Sequence, residues 1–249
     1  MTKKVLVTGG GKGVGAAIVR ALAASGHDVD FTYRSSADAA QALSDELQAE
    51  FPHRKVVGHA LDLAEKGSID IFCEAMEGES FFGFVHNAGQ PYDALAAVMA
   101  QDKAEAAMQV NFWAFTRIVK AVLRGMLRAR GGRIVAIGSV AALQGKPGNA
   151  AYAASKGALI SYCRTLAVET AKRGVTVNTI APGFIDTDMM APYAAYRADM
   201  EKQIPAGRFA KPQEIAGLTA FLMSEPAAYI TGAVLPIDGG LSSMIGVHR

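Results

Sequence analysis

Short apolar runs alternate with longer helix-patterned segments along most of the chain, and this alternation restricts the possible folds more than any other feature. Such a pattern is typical of βαβ units, whose strands form a parallel sheet covered by helices on both faces. It predicts a doubly wound α/β fold with six or seven strands. The strand-like runs are KVLVT, DVDFTY, KVVGHALD, FGFVHNAG, GRIVAIGS, GVTVNTIAPG and GAVLPIDGG.

Three longer helices are predicted between these runs: one from about Lys103 to Arg130, one carrying Tyr152, and one starting near Pro212. No Pro/Ser-rich linker divides the 249 residues, a length that is ordinary for one α/β domain. We therefore predict a single domain over residues 1–249. Residues 184–211 have the weakest strand or helix signal, and we expect them to form an inserted, mobile segment near the strand ends.

Composition argues against several functional classes. Hydrophobic residues make up 51% of the chain, charged residues 19%, and the net charge is +2, so neither disorder nor a nucleic-acid partner is expected. The two cysteines form no C-x-x-C pair, which predicts a reducing compartment and no metal site. The first apolar run is too short for a signal peptide or a membrane span, and no apolar run reaches about 18 residues. We expect a cytoplasmic protein without membrane contact.

A glycine-rich turn joins the first strand to the first helix. In VLVTGGGKGVGAAIV, Gly9, Gly13 and Gly15 permit a tight turn, and backbone N–H groups at a helix N-terminus attract phosphate. The G-x-G-x-x-G form is not met, since Val14 occupies the third glycine position, and Ala16 after Gly15 rules out a Walker A loop. The turn indicates nucleotide binding; a purely structural βα turn is the alternative.

The end of the second strand indicates which nucleotide. An acidic residue there usually holds the ribose 2′-hydroxyl, but FTYRSS places Tyr33 at that position, followed by Arg34. Together with Lys12 in the glycine loop, Arg34 favours a 2′-phosphate and hence NADP(H). Alternatively, both cations are merely solvated and Asp30 or Asp38 serves the ribose.

A tyrosine and a lysine one helical turn apart follow a serine at a strand end. Ser139 ends IVAIGS, and Tyr152 and Lys156 lie in NAAYAASKGA, so their side chains share one helix face. A tyrosine can protonate an alkoxide, but its pKa of about 10 is high for work at neutral pH. Lowering it by about three units takes roughly 4 kcal/mol, about what one cation at ~4 Å supplies at a dielectric of ~20. Alternatively, Tyr152 is a half-buried aromatic, Lys156 a surface lysine and Ser139 a cap.

Taken together, these motifs resemble the short-chain dehydrogenase/reductase family over nearly the whole chain. The resemblance is carried by TGGGKGVG, the NAG at 87–89, QVNFW, Ser139, YAASK and APGFIDT. It implies a three-layer doubly wound fold with a mostly parallel seven-stranded sheet. It also implies a catalytic tetrad of Asn111, Ser139, Tyr152 and Lys156.

The same resemblance implies a role for each residue. Tyr152 would be the general acid, Ser139 would polarise the substrate carbonyl, and Asn111 would bind a water linking Lys156 to solvent. Lys156 would hold the nicotinamide ribose and lower the tyrosine pKa. Asp62 would serve the adenine, and Ile185 and Thr187 would hold the carboxamide. The implied cofactor-binding residues are Thr8, Gly9, Lys12, Gly13, Val14, Gly15, Arg34, Asp62, Leu63, Asn87, Ala88, Gly89, Tyr152, Lys156, Pro182, Gly183, Ile185 and Thr187.

Within that family the chain resembles the bacterial 3-oxoacyl-[acyl-carrier-protein] reductases, through stretches such as RGVTVNTIAPGFIDTDM and AAYITGAVLPIDGG. This implies NADPH-dependent reduction of a 3-oxoacyl thioester, carrier docking at Arg130 and Arg173 beside the site entrance, and a homotetramer. Alternatively, the two arginines are solvated helix-end cations. Other possible functions are a family member acting on a free alcohol, sugar or steroid, and a cofactor-binding regulator without chemistry.

The chain departs from that pattern in three places. His86 precedes NAG where an asparagine is more usual, GESFFGFV lacks an acidic residue before its strand, and GLSSMIGVHR extends the C-terminus. With Met189 and Met190 near the substrate segment, these departures leave the acyl preference open, and a specialised lipid or polyketide-like pathway is an alternative.

Overall fold

Seven parallel strands form one sheet in the computed structural model, which describes residues 3–244. Their order is β3-β2-β1-β4-β5-β6-β7, and every neighbouring pair is parallel. The predicted doubly wound fold is confirmed, and the described sheet is parallel throughout rather than mostly so. The strands are β1 (Lys4–Thr8), β2 (Asp28–Tyr33), β3 (Val56–Ala60), β4 (Gly83–His86), β5 (Gly132–Ile137), β6 (Val175–Pro182) and β7 (Val234–Ile237).

The central strands are buried on both faces, which explains why their sequences are continuously apolar rather than alternating. In β5 and β6 every residue is buried. Helices cover both faces of such a sheet, and two separate apolar clusters fill the spaces between the layers. The helices are α1 (Gly13–Ala24), α2 (Ala37–Glu50), α3 (Lys66–Ala75), α4 (Gln101–Met108), α5 (Ala114–Ala129), α6 (Ala150–Thr170), α7 (Arg197–Lys202) and α8 (Pro212–Leu222).

Each apolar cluster joins one face of the sheet to its own helices. Ile18 of α1 and Ile215 of α8 lie in the first cluster, with strand residues such as Val7. Phe115 of α5 and Leu159 of α6 lie in the second. The three-layer arrangement follows, with α5 and α6 on the same side of the sheet.

A helical stretch covers the range predicted from Lys103 to Arg130, but it is not a regular α-helix throughout. It begins at Gln101, and a π-turn over Gln109–Trp113 separates α4 from α5. A π-turn inserts one residue into an α-helix and is found most often at functional positions. Helix α3, ten residues long, was not anticipated from the sequence.

Residues 184–211 lie beyond the carboxyl end of β6 and contain more regular structure than the sequence indicates. We call them the substrate segment. It comprises 3₁₀ turns over Asp188–Tyr196 followed by α7, and Ile185 pairs with Ala210 as a short parallel bridge. The predicted C-terminal extension lies largely outside the described residues. Within residues 3–244, the helices are too short or too polar to span a membrane.

Candidate active site

The glycine loop packs so closely that side chains are excluded from it. A Cβ atom on Gly15 would lie 1.9 Å from the Gly9 carbonyl oxygen, and one on Gly9 would lie 2.9 Å from Cα of Ala88. Gly9 and Gly13 also have positive φ angles, which favour glycine. The loop therefore brings its backbone N–H groups to the N-terminus of α1, the arrangement that suits a phosphate group.

Strand β4 ends beside this loop and fixes it. The Asn87 side chain donates a hydrogen bond to the Gly9 carbonyl at 2.9 Å. The Thr8 hydroxyl accepts from the Ala88 backbone N–H at 3.3 Å and contacts Nδ1 of His86 at 3.0 Å. Thr8, Asn87 and Ala88 thus shape the cleft in the structure by holding the loop.

The two predicted phosphate-binding cations are exposed at the outer side of the cleft. Lys12 lies at the start of α1, Arg34 directly follows β2, and neither forms an ion pair within residues 3–244. Asp30, the alternative ribose ligand, is buried and paired with Lys4 at 2.9 Å and His59 at 3.4 Å. Its carboxylate is already engaged, which leaves Asp38 as the alternative.

Asp62 and Leu63 follow β3 at the same edge of the sheet. The Asp62 carboxylate accepts a hydrogen bond from the Ala64 backbone N–H at 2.9 Å, which closes a tight turn. Leu63 is buried, and its carbonyl accepts from the Gln109 side chain at 3.2 Å. This turn connects the predicted adenine side of the cleft to the π-turn.

The opposite wall of the cleft is the end of β6 and the start of the substrate segment. Gly183 packs so closely on Asp238 that a Cβ would lie 2.9 Å from Cβ of Asp238. From there the chain crosses above the glycine loop, since a Cβ on Gly13 would lie 3.6 Å from Cγ2 of Thr187. Thr187 therefore lies across from Gly13, and Pro182, Gly183 and Ile185 precede it at the end of β6 and in the segment that follows.

Ser139 and Tyr152 lie together at the carboxyl end of β5. The Ser139 hydroxyl is near enough to the Tyr152 hydroxyl to lower its pKa, and it accepts a hydrogen bond from the Ala141 backbone N–H at 3.1 Å. The alternative in which Ser139 is a cap is thus partly right, because its oxygen caps the short turn after β5. The same hydroxyl keeps its hydrogen for Tyr152 or for a substrate oxygen.

Lys156 is almost fully buried one turn below Tyr152, so the surface-lysine alternative is wrong. Its Nζ donates to the Ile137 carbonyl at 2.9 Å and lies 5.9 Å from the centroid of the Tyr152 ring. Burial lowers the pKa of Lys156 to about 8. The glycine at position 89 leaves room for this ammonium, since a Cβ there would lie 3.3 Å from Nζ.

The pKa of Tyr152 moves in the direction opposite to the prediction. Burial raises the pKa of the Tyr152 hydroxyl, the Ser139 hydrogen bond lowers it in part, and the nearby Asp93 carboxylate raises it further. Lys156 is not among the groups that shift this pKa, and its Nζ donates to the Ile137 carbonyl. The structure thus favours the protonated tyrosine.

Asn111 lies in the π-turn, and its side chain connects three segments. Its amide donates to the Gln90 carbonyl at 3.0 Å and to Ser155 Oγ at 2.9 Å, while its carbonyl oxygen accepts from the Gln90 N–H at 2.7 Å. Ser155 in turn donates to the Tyr152 carbonyl at 2.7 Å. Both hydrogens of the Asn111 amide are therefore engaged, and its oxygen accepts one hydrogen bond.

Comparisons with known proteins identify relatives of this chain. A family model described as enoyl-(acyl carrier protein) reductase matches residues 9–242. The chain is 42% identical to the 3-oxoacyl-[acyl-carrier-protein] reductase FabG of Escherichia coli K12 over 244 residues, covering 96% of this chain and 97% of that protein. The chain belongs to the short-chain dehydrogenase/reductase family.

Two further proteins are similar to this chain, one by sequence and one by structure. The chain is 43% identical to the FabG reductase of Vibrio cholerae, with 96% of this chain and 97% of that protein covered. A short-chain dehydrogenase/reductase from Serratia marcescens superimposes with a TM-score of 0.89 at 34% identity, covering 96% of this chain and 98% of the other. This short-chain dehydrogenase/reductase is therefore an oxidoreductase that binds a nicotinamide cofactor.

The two predicted docking arginines lie away from the site of their own chain. Arg130 ends α5 before β5 begins, and Arg173 precedes β6, so both lie at the amino edge of the sheet. Ser139 and Tyr152 lie at the carboxyl edge, and a six-residue strand spans about 20 Å. The expected position beside the site entrance is therefore wrong within one chain, because parallel strands separate the segments before them from those after them.

His86 and two further residues complete the neighbourhood of this reductase site. His86 is completely buried, and burial lowers its pKa to about 3, so the ring is neutral. Sequence reasoning missed Asp93 and treated Ser155 only as a small residue. No motif marks Asp93, whereas the spacing of Ser155 between Tyr152 and Lys156 could have indicated that it lies near Asn111.

Proposed function

We propose that the chain reduces a 3-oxoacyl thioester to the 3-hydroxyacyl thioester with NADPH, in fatty-acid or related biosynthesis. The observation that carries this proposal is the placement of the Ser139 and Tyr152 side chains beside each other, with buried Lys156 one helical turn from Tyr152. The extensive identity with curated 3-oxoacyl-[acyl-carrier-protein] reductases supports the substrate class.

The two hydroxyls divide the work on the substrate carbonyl. Ser139 Oγ already accepts a hydrogen bond from a backbone N–H, so its own hydrogen is free to bind the carbonyl oxygen. Tyr152 then donates its proton to that oxygen as negative charge develops. The raised pKa keeps the proton on Tyr152 before the reaction, so its transfer depends on the negative charge that develops on the substrate oxygen. NADPH, when bound, supplies the hydride that reaches the carbonyl carbon.

The described residues fit a dinucleotide. The glycine loop is folded tightly on itself and on Ala88 at the N-terminus of α1, where a pyrophosphate is favoured, and Thr187 lies directly across from Gly13. Lys156 presents a buried ammonium suited to ribose hydroxyls, beside the gap left by Gly89. Arg34 and Lys12 favour the 2′-phosphate of NADPH, and the engagement of Asp30 by Lys4 removes one competitor.

A carrier protein docked at Arg130 and Arg173 would serve the site of another subunit. Both arginines lie at the sheet edge opposite Tyr152 of the same chain. We propose a homotetramer assembled through α5, α6 and the last strand. In support, Trp113 is 51% exposed and Val168 of α6 is 80% exposed, which is unusual for side chains on packed helices. We also propose that the protein is cytoplasmic.

The docking proposal has its own experiment. Replacing Arg130 and Arg173 with glutamate should raise KM for a carrier-bound thioester about tenfold while KM for the same acyl group on coenzyme A changes little, because rim charges act on encounter. Equal effects on both substrates would contradict docking at these positions. Sedimentation showing only monomer would contradict the tetramer.

The experiment for the reaction compares substrates and cofactors directly. Purified protein is assayed by NADPH oxidation with acetoacetyl thioesters, and in parallel with small alcohols, sugars and steroids. We expect the highest kcat/KM with the thioester and NADPH. A higher kcat/KM with a free alcohol or sugar would assign a different substrate class, and no turnover of any substrate despite cofactor binding would indicate a regulator.

A further inference from the structure

Asp93 touches both the substrate segment and the catalytic helix. Its Oδ2 accepts a hydrogen bond from the Tyr193 hydroxyl at 2.5 Å, and its Oδ1 accepts from the Asn149 side-chain amide at 2.5 Å. Tyr193 lies in the 3₁₀ turns of the substrate segment, and Asn149 directly precedes α6. One carboxylate therefore joins a surface segment to the helix that carries Tyr152 and Lys156.

The loop that carries Asp93 is itself fixed to the catalytic side of the site. The Ala94 backbone N–H donates to the Gly148 carbonyl at 2.8 Å, beside Asn149. Gln90, at the start of the same loop, forms two hydrogen bonds with Asn111. These contacts hold the carboxylate of Asp93 at a defined place next to the start of α6.

The substrate segment has little else to hold its outer part. None of the residues in Asp188–Tyr196 is buried, so the hydrophobic effect contributes little to its closed position. At its base, Arg197 pairs with Asp186 at 2.7 Å within the segment itself. A side-chain hydrogen bond from Tyr193 to Asp93 joins these 3₁₀ turns to the loop after β4.

We propose that Asp93 is a positioning residue that fastens the substrate segment, through Tyr193, over the acyl thioester and onto the start of α6. This inference rests on the proposed function for the identity of the substrate. Asp93 itself need not touch the reacting atoms. Its effect would be to close the segment over the acyl chain, which lowers KM for the thioester.

The experiment is a double-mutant cycle between Asp93 and Tyr193. Asp93→Ala and Tyr193→Phe should each raise KM for the thioester about tenfold, the size expected for a hydrogen bond to a charged group, with kcat changed less than about threefold. The double variant should be no worse than Asp93→Ala alone, because Asp93→Ala already removes the contact that Tyr193→Phe removes. Tyr196→Phe is the matched control: this tyrosine lies in the same turns, and its hydroxyl has no hydrogen-bond partner within residues 3–244.

A second readout does not depend on catalysis. Trypsin cleaves after exposed Lys202 in α7, and release of the segment should speed that cleavage about tenfold in Asp93→Ala and Tyr193→Phe but not in Tyr196→Phe. If the wild type does not reduce thioesters but the cleavage rates change as stated, the proposed function fails and the fastening by Asp93 stands. Unchanged cleavage, or KM effects that add in the double variant, would overturn the proposal.

Discussion

The two walls of the cleft are built from different materials. The wall at β1 is made of backbone, with Gly9 and Gly15 packed so closely that an added Cβ would overlap neighbouring atoms. The wall at β5 and α6 is made of buried polar side chains, with Lys156, Asn111 and Ser155 each hydrogen-bonded to a named partner. We therefore expect an added side-chain atom to disrupt the wall at β1, and the loss of a polar atom to disrupt the wall at β5 and α6.

The largest effect is expected on the side-chain wall. Tyr152→Phe removes the proposed proton donor next to Ser139, so kcat should fall about 10²- to 10⁴-fold, the usual range for a general acid. Steady-state kinetics with NADPH and an acetoacetyl thioester measures this. Tyr162→Phe, on the same helix, should keep nearly full activity. A Tyr152→Phe enzyme with near wild-type kcat would refute the assignment of the acid.

The backbone wall should respond to one added methyl group. In Gly15→Ala the new Cβ would lie 1.9 Å from the Gly9 carbonyl oxygen, and the resulting distortion should weaken cofactor binding about 10- to 100-fold. Titration of NADPH by fluorescence gives the Kd. Gly157→Ala, where a Cβ meets nothing within 4 Å, serves as control. Normal NADPH affinity in Gly15→Ala would show that the loop is not the phosphate site.

The exposed rim of the backbone wall should decide cofactor selectivity. Arg34→Gln removes a cation placed for the 2′-phosphate, so KM for NADPH should rise about tenfold while KM for NADH stays nearly constant. Arg20→Gln, an exposed arginine of α1 paired with Glu46, should change neither. A wild-type preference for NADH, or equal effects on both cofactors, would contradict a 2′-phosphate site at Arg34.

The smallest effect concerns the pH dependence of the side-chain wall. The Asp93 carboxylate raises the pKa of Tyr152, so Asp93→Asn should lower it. Reduction needs protonated Tyr152 and declines as pH rises through that pKa, and the alkaline limb of kcat/KM should therefore shift to lower pH in the variant. Besides Asp93, the groups facing the Tyr152 hydroxyl and ring are Ser139 and Lys156, which the substitution leaves in place. A shift to higher pH would contradict the sign.

Most of the site could be predicted because its residues occupy positions that the local pattern determines. A strand followed by glycines, and a tyrosine four residues before a lysine on a helix, have the same neighbours in almost any doubly wound fold. The Tyr152 pKa and the place of Arg130 and Arg173 could not be predicted in this way. The Tyr152 pKa depends on how deeply the tertiary structure buries the hydroxyl. The place of the two arginines depends on the edge of the sheet at which each helix ends.

The amino-acid sequence by itself determined the alternation of strands and helices, the glycine loop and the pairing of Tyr152 with Lys156, because these follow from periodicities within one or two turns. Tertiary structure alone decided that Lys156 turns to the Ile137 carbonyl, that Asn111 lies in a π-turn bonded to Ser155, and that Asp93 contacts Tyr193. Asp93 and Tyr193 are 100 residues apart. Contacts over such separations carry no local period, since they form only when the packed sheet brings its loops to one edge.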